Sequence, residues 1–229
     1  RYTDWPYVYA GMVAILYGGV IASASRAGTI LSTALVLVMI VVLYSRRMVA
    51  GRHAGMLLLR VAGVLTFFTL VVGWQSVWAR MTQPDPMHYR TELNVASLHM
   101  IQEHPWLGSG LGTWPVAYPK HAILDAGVFA NQAHNDWLQW AAEGGVPLAV
   151  LLLGLFFWSV RASLRAPARC IWGLGIVAVF IHACVDYPFS RPALGAWFIA
   201  VLALLAAGER FMLRDLREGQ EHTPRGQDR

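Results

Sequence analysis

The sequence predicts an all-α fold, a polytopic bundle of transmembrane helices with one long extramembrane loop that contains short helices. Of its 229 residues, 56% are hydrophobic and only 14% are charged, whereas a soluble domain carries about 25% charged residues. The apolar residues occur in long runs, which is typical of membrane-spanning helices. One stretch, residues 80–145, interrupts this pattern and is the only sizeable extramembrane piece.

The apolar runs predict six membrane spans in two groups of three. The first group occupies residues 1–79 and the second residues 146–207, with the loop 80–145 between them. Residues 208–229 are rich in charge, glycine and glutamine, and they predict a tail that has no need to fold. The six predicted spans are 7–24, 28–44, 61–79, 146–160, 171–185 and 193–207.

Arginine clusters predict the orientation of the spans. All of these clusters lie on one side of the membrane if the six spans are real, and the positive-inside rule makes that side cytoplasmic. The opposite side then receives the long loop, the turn around Arg26 and the short turn 186–192. The arginine clusters occupy residues 45–60, 161–169 and 208–229.

Charge, cysteine content and the first residue restrict the class of protein further. The net charge of +5 comes mainly from these arginines, so we interpret it as a topology signal and expect no nucleic-acid partner. Cys170 and Cys184 share one predicted helix, about 21 Å apart along its axis, and cannot form a disulfide with each other. The chain begins with Arg1 and shows no signal peptide, so we expect it to be the C-terminal part of a longer membrane protein.

The first part of the loop predicts an amphipathic helix. In "HYRTELNVASLHMIQEHP", Tyr89, Leu93, Ala96 and Met100 recur at helical spacing, and Pro105 ends the run. A helix with one apolar face outside the spans is expected to lie along the bilayer surface.

Three glycines at alternate positions follow in "WLGSGLGTWP". Gly108, Gly110 and Gly112 permit tight turns and a close approach of the backbone to a ligand. They indicate a phosphate-binding loop only weakly, because no strand precedes them and no lysine-serine pair follows.

The last part of the loop, "NQAHNDWLQWAAEGG", predicts a short helix that a glycine ends. His134, Trp137, Leu138 and Ala141 would share one face of this helix. An interfacial histidine packed against the membrane is the simpler interpretation of His134. The polar residues beside it favour a second interpretation, in which one ring nitrogen is oriented by a neighbour and the other faces a substrate.

Three arginines on the predicted non-cytoplasmic side are candidate anion ligands. A guanidinium offers a planar fork to phosphate oxygens. The alternatives are a snorkelling anchor for Arg26, a solvated charge for Arg90, and a local ion pair with Asp186 for Arg191. The acidic residues of the loop are scattered singly, so we predict no metal site.

Taken together, several of these stretches resemble the C-terminal half of the O-antigen ligase and polymerase superfamily of bacterial inner-membrane glycosyltransferases. The matching stretches are "SASRAGTI", "RTELNVASLHMIQEHPWLGSGLGTWPVAYP", "AHNDWLQWAAEGGVPLAVLLL" and the turn "HACVDYPFSRP". Two positions depart from the family pattern: Asn94 replaces a common aromatic residue, and His104 replaces a common acidic residue.

The resemblance implies an enzyme that transfers a glycan from undecaprenyl diphosphate to an acceptor hydroxyl at the periplasmic face of the bacterial inner (plasma) membrane. It implies neither a cofactor nor a metal. The implied partners are the undecaprenyl-diphosphate-linked glycan, a lipid A-core or other glycan acceptor, and membrane lipids. By resemblance, His134 and Arg90 are catalytic, and Arg26, Arg90 and Arg191 bind the diphosphate. The supporting residues are Asn135, Gly108, Gly110, Gly112 and Asp186.

The acceptor stays open at this point between a lipid A-core (a ligase), another lipid-linked glycan (an O-antigen or exopolysaccharide polymerase) and a protein (an O-oligosaccharyltransferase). A transporter-like membrane protein is the non-enzyme alternative. Transporters place ionisable groups near mid-membrane, whereas the predicted spans carry almost none away from their ends, apart from His182 near one end. A purely structural membrane subunit is the third class.

Overall fold

The computed structural model confirms the all-α class: every element among the described residues is a helix. We label the helices α1 (Arg26–Ser45), α2 (Gly51–Val72), α3 (His88–Glu103), α4 (Trp114–Ala117), α5 (Asp136–Arg165), α6 (Leu174–His182) and α7 (Pro192–Glu221), with short 3-10 turns at Tyr118–Lys120 and Ile171–Gly173. The described residues are 12, 15–20, 23, 25–48, 50–72, 78, 82, 88–123, 129–165 and 170–221.

Three of the described helices are long and apolar enough to cross a membrane, namely Arg26–Ser45, Asp136–Arg165 and the first part of α7, Pro192–Phe211. The predicted span 171–185 differs from its expected form. Its helix α6 and the 3-10 turn before it form one helical run, Ile171–His182, of roughly 20 Å at 1.5–2 Å per residue, well short of a hydrocarbon core of about 30 Å. Most of the predicted span 7–24 and the end of 61–79 lie outside the described residues, so the count of six stays a prediction.

The predicted sidedness of two segments agrees with a contact between them. The guanidinium of Arg46, just after α1, donates a hydrogen bond to the carbonyl of Leu164 near the end of α5, with 3.5 Å between the atoms. Both residues belong to predicted arginine-rich segments. At the opposite end of α5, the N–H of Asp136 donates to the carbonyl oxygens of Ala183 and Asp186. The loop and the short turn therefore meet at one end of the bundle.

The helix predicted in the first half of the loop is confirmed as α3, but its apolar face does not lie on a bilayer. Leu93, Ala96 and Met100 are fully or almost fully buried against Trp114 and other residues of a small loop core. The side-chain N–H of Trp114 donates to the hydroxyl of the buried Ser97 at 2.9 Å. The apolar stripe therefore stabilises the loop itself.

Helix α5 joins the loop to the membrane through a kink at Gly145. This glycine has φ 70° and ψ −172°, and Pro147 follows it in the first turn of the apolar half. The predicted interruption by a glycine before the span is thus present, although the helices on either side of Gly145 form one continuous element. The kink matters for the site because it leaves the first half of α5 in the loop and the second half in the apolar bundle.

Helix α7 continues well past the predicted span 193–207. The sequence predicts a tail with no need to fold from residue 208 onward, whereas the helix extends to Glu221; residues 222–229 lie outside the described ranges. One physical reason is the side chain of Glu209, which accepts a hydrogen bond from the indole N–H of Trp158 on α5 at 3.0 Å. This contact joins the start of the predicted tail to the bundle.

Candidate active site

His134 occupies a strained position immediately before α5, which corrects the predicted helix boundary. The sequence predicts His134 on the helix face of Trp137 and Leu138, but the helix begins at Asp136. His134 instead has φ 53°, a left-handed conformation that is uncommon outside glycine. The side chain of Asn135 accepts a hydrogen bond from the N–H of Leu138 at 3.2 Å and so caps the helix. Backbone strain of this kind is concentrated at functional sites.

The imidazole of His134 faces the turn between α6 and α7. Its Nδ1 lies 4.0 Å from a carboxylate oxygen of Asp186, and its ring meets that of Tyr187 edge to face at 4.8 Å between centroids. The distance to Asp186 exceeds a hydrogen bond, and Nδ1 is buried without a hydrogen-bond partner. Nδ1 therefore lies beside the carboxylate without a hydrogen bond to it.

Asp186 connects His134 with a second histidine, which the sequence analysis noted only for its position. The Nε2 of His182 lies 3.4 Å from the other carboxylate oxygen of Asp186. This hydrogen bond holds the pKa of Asp186 below its usual value, and the N–H of Tyr187 adds to the effect. Asp186 is therefore an anion between two imidazoles. His182 and Asp186 are four residues apart, and this spacing was the sequence signal for the pair, although α6 ends at His182.

Arg90 reaches the same turn from α3. Its guanidinium donates to the backbone carbonyl of Val185 at 2.7 Å. Burial lowers the pKa of His134, and the positive charge of Arg90 lowers it further. Asp186 acts in the opposite direction, and Arg191 acts with Arg90. The sum favours a neutral imidazole at neutral pH, which is the form able to accept a proton.

Arg191 lies beside the cluster on the aromatic ring of Tyr187. Its guanidinium carbon is 4.8 Å from the ring centroid, and one nitrogen donates to the phenol oxygen at 3.2 Å. In this structure Arg191 contacts Tyr187, while the carboxylate of Asp186 is engaged with His182. Tyr187 thereby fixes the guanidinium through a cation–π contact.

The carboxylate of Asp136 connects the start of α5 with the turn between α6 and α7. Asp136 is not among the site residues predicted from the sequence. Asp136 is fully buried and accepts hydrogen bonds from the N–H of Phe189 and the hydroxyl of Ser190, each at 2.6 Å. Its own N–H donates back to the turn. The residues before α5 and the turn after α6 are therefore locked in register. Nothing local in the sequence identifies a contact across more than fifty residues.

The alternate glycines make a close approach, but to α5. A Cβ atom on Gly108 would lie 2.3 Å from the backbone of Glu143. Gly110 donates its N–H to the carbonyl of Glu143, and Gly112 donates to the Glu143 carboxylate. These backbone donors are therefore used within the protein, and the glycines support the site by seating the loop on α5.

Arg26 is the first residue of α1. A groove connects this end of α1 with the polar cluster formed by His134, His182, Asp186 and Arg90. This lateral groove of about 420 Å³ runs between α1, α6 and α7. Gly28 and His182 both line it, so the Arg26 end of α1 lies at the His182 end of α6. The remaining lining is almost entirely apolar and includes Leu31, Val179, Trp197 and Val201. The groove is an apolar channel that ends at the polar cluster.

Metal ligands do not converge in groups of three or more anywhere in the described ranges. The fold and the site thus define a helical membrane protein with a histidine, a carboxylate and arginines at one end of the bundle. The family model of the O-antigen ligases matches residues 11–153, more than half of the chain, and the protein belongs to this family. Neither the curated proteins nor the solved structures contain a match.

Membership gives the protein an O-antigen ligase or polymerase type of function in general, with lipid-linked glycans as the general substrate class. The matched range includes Arg26, Arg90, His134 and the three glycines. The turn with Asp186 and Arg191 lies beyond it, and the structure brings that turn to His134.

Proposed function

We propose that this protein is an O-antigen ligase that transfers a glycan from undecaprenyl diphosphate to a hydroxyl of a lipid A-core acceptor, at the periplasmic face of the inner membrane. The single observation that carries the proposal is the convergence of His134, Asp186, Arg90 and Arg191 at the end of an apolar groove. Each part of this arrangement matches one chemical demand of the reaction.

The leaving group demands positive charge. When the glycosidic bond breaks, the electron pair departs with a diphosphate, whose charge must be neutralised. Arg90 uses one nitrogen on Val185 and Arg191 uses one on Tyr187. A guanidinium has five donor hydrogens, so each retains donors for phosphate oxygens. Arg26, at the same end of the groove, is the third proposed ligand of the diphosphate.

The attacking hydroxyl demands a proton acceptor. In the proposed step, the acceptor oxygen bonds to the anomeric carbon, the bond from that carbon to the diphosphate oxygen breaks, and the hydroxyl proton moves to His134. Because Nδ1 lies beside Asp186, we assign this proton to Nε2. In the proposed step the Asp186 carboxylate stabilises the imidazolium that forms, and the present separation of 4.0 Å would have to shorten when substrate binds.

The lipid tail of the donor demands an apolar surface beside the site. The lateral groove supplies one, because its lining is apolar from Val201 up to His182. A prenyl chain lying between α1, α6 and α7 would present its diphosphate at the polar end. The donor can therefore place its diphosphate in the site while the diphosphate stays at the membrane surface.

The proposal is tested by complementing a strain that lacks the gene with variants of the full-length gene product. We expect His134→Ala to lower transfer about 10²–10⁴-fold, the range for loss of a general base. Arg90→Ala should lower it by about 10²–10³-fold, as for loss of one electrostatic stabiliser. Membrane insertion should stay intact in both. The matched controls are His99→Ala, exposed on the same helix as Arg90, and Arg161→Ala, exposed near the far end of α5.

The glycan profile of the deletion strain identifies the acceptor. Free lipid-linked polymer together with bare core supports the ligase. Single repeat units on core would instead identify a polymerase, and an unglycosylated pilin or other protein would identify a protein O-oligosaccharyltransferase. Normal transfer by His134→Ala or Arg90→Ala at wild-type abundance would refute the assignment of the site.

A further inference from the structure

Three large apolar side chains protrude from the loop close to where α5 becomes apolar. Trp106, Leu107 and Leu111, which we call the loop tip, are 71%, 85% and 73% exposed. The other face of the same loop buries Trp114 and Met100 completely or almost completely. An exposed apolar cluster on a loop that has a core of its own marks an interaction surface.

Backbone contacts fix the height of the loop tip relative to the apolar half of α5. The N–H of Val146 donates to the carbonyl of Pro105 at 2.8 Å. A Cβ atom on Gly145 would lie 2.3 Å from the carbonyl oxygen of Trp106. Trp106 and Leu107 of the loop tip therefore lie level with the first residues of "VPLAVLLLGLFFW", the stretch of α5 that belongs in lipid. Val146 and Val150 of that stretch are themselves 41% and 60% exposed.

We propose that the loop tip inserts into the bilayer interface and anchors the loop to the membrane. Its occupant is lipid, because the tip meets the helix at the level where the lipid-facing surface begins. Tryptophan favours this headgroup level, and leucine favours the acyl chains below it. The anchor is independent of the reaction proposed above, since it depends only on exposed side chains and on the backbone contacts with α5.

The test places an environment-sensitive fluorophore on the tip of the full chain in phosphatidylcholine nanodiscs. Leu107→Cys is made in a Cys184→Ser background, because Cys184 is exposed, whereas Cys170 is fully buried and cannot be labelled. The control is Lys120→Cys in the same background, at a loop residue whose side chain is 67% exposed and ion-paired with Glu103. Leu107 is so exposed that its replacement removes almost no packing.

We expect the Leu107 probe to be quenched by lipids that carry a nitroxide near the head of the acyl chain. Quenching should be weaker with a nitroxide near the methyl end, since an interfacial group lies about 5–10 Å below the headgroup boundary. The Lys120 probe should respond to aqueous iodide and not to either lipid.

Three outcomes would overturn the anchor. Iodide quenching of both probes alike would mean that the tip stands in water. Equal lipid quenching of the Leu107 and Lys120 probes would mean that the loop tip does not contact lipid more than the rest of the loop does. Shielding of the Leu107 probe from iodide and lipid together would mean that protein, such as a second copy of the chain, covers the tip. None of these results bears on whether His134 and Arg90 are catalytic.

Discussion

Replacing Glu143 with glutamine tests whether its carboxylate holds the glycine loop, the segment with Gly108, Gly110 and Gly112, on α5. Glu143 is only 5% exposed, and its two oxygens accept from the N–H of Gly112 at 2.8 Å and the N–H of Trp114 at 3.1 Å. Glutamine keeps the shape but has one oxygen, so its NH₂ group must face one of these backbone donors. A backbone N–H cannot reverse its direction, and one donor loses its acceptor.

The expected loss of stability follows from that lost contact. A hydrogen bond to a charged group contributes about 1.5–3 kcal/mol, and a buried donor left without a partner costs a similar amount. We therefore expect Glu143→Gln to lower the free energy of unfolding by about 2–3 kcal/mol. For a chain of this size, that corresponds to a fall in Tm of about 4–12 °C.

Asp136→Asn is the matched control on the same helix. The Asp136 carboxylate is also buried and accepts from the N–H of Phe189 and the hydroxyl of Ser190, with a smaller contribution from the N–H of Ser190. A hydroxyl can accept as well as donate, so asparagine can accept from the N–H of Phe189 and donate to Ser190. We expect this variant to lose about 1 kcal/mol or less.

The assay is thermal unfolding of the purified full chain in nanodiscs, followed by tryptophan fluorescence. Limited proteolysis is the second readout, and Glu143→Gln should open cleavage sites between Pro105 and Tyr118. A Tm within about 1 °C of wild type for Glu143→Gln would refute the reasoning, since even the lower estimate corresponds to a larger shift. So would an Asp136→Asn variant less stable than Glu143→Gln.

Two further predictions concern the site and the glycine loop. Asp186→Asn removes a negative charge that raises the pKa of His134, so that pKa should fall and the acid limb of the pH profile of kcat/KM should move to lower pH; a move to higher pH would contradict the pairing. Gly108→Ala places a Cβ 2.3 Å from the backbone of Glu143 at φ +65° and should cost at least about 2 kcal/mol in thermal unfolding. Gly154→Ala, which meets nothing within 4 Å, should leave Tm nearly unchanged, and equal Tm values for the two alanine variants would count against close packing of the loop on α5.

The sequence predicts those features of the fold that depend on local pattern. The apolar spacing of Leu93, Ala96 and Met100 specifies both the helix α3 and its buried face, because three- and four-residue steps place side chains on one side. Gly145 also marks its break, since only glycine takes its conformation readily. The destination of that buried face was not predictable, as amphipathic spacing is the same whether the partner is lipid or a loop core.

Boundaries and lengths were harder to predict. Asn131, Asn135 and Asp136 are all good capping residues, so the position of the helix start relative to His134 was ambiguous in the sequence. The predicted span 171–185 included the turn residues after His182 because hydropathy does not distinguish a helix from an apolar turn. The extension of α7 depends in part on Glu209, whose partner Trp158 is distant in the sequence.

The candidate site was predictable in its parts and not in its connections. His134, Arg90 and Arg191 were identified from residue chemistry and family resemblance, and they lie near one another in the structure. The role of Asp136 arises from contacts with the turn after α6, more than fifty residues away, and such a pairing has no local signature. The strained backbone of His134 was equally invisible, because a left-handed histidine is imposed by the surroundings.

The hydrogen bonds between Asp136 and the turn after α6 have a consequence for biosynthesis. It joins the entry to α5 with Phe189 and Ser190, which are translated some fifty residues later. A nascent chain that has inserted α5 but not yet emerged beyond Ser190 lacks this closure, so its imidazole and guanidinium groups cannot be held in register. The closure therefore forms late in synthesis, and a chain truncated before Phe189 would reach the membrane without the hydrogen bonds that join α5 to this turn.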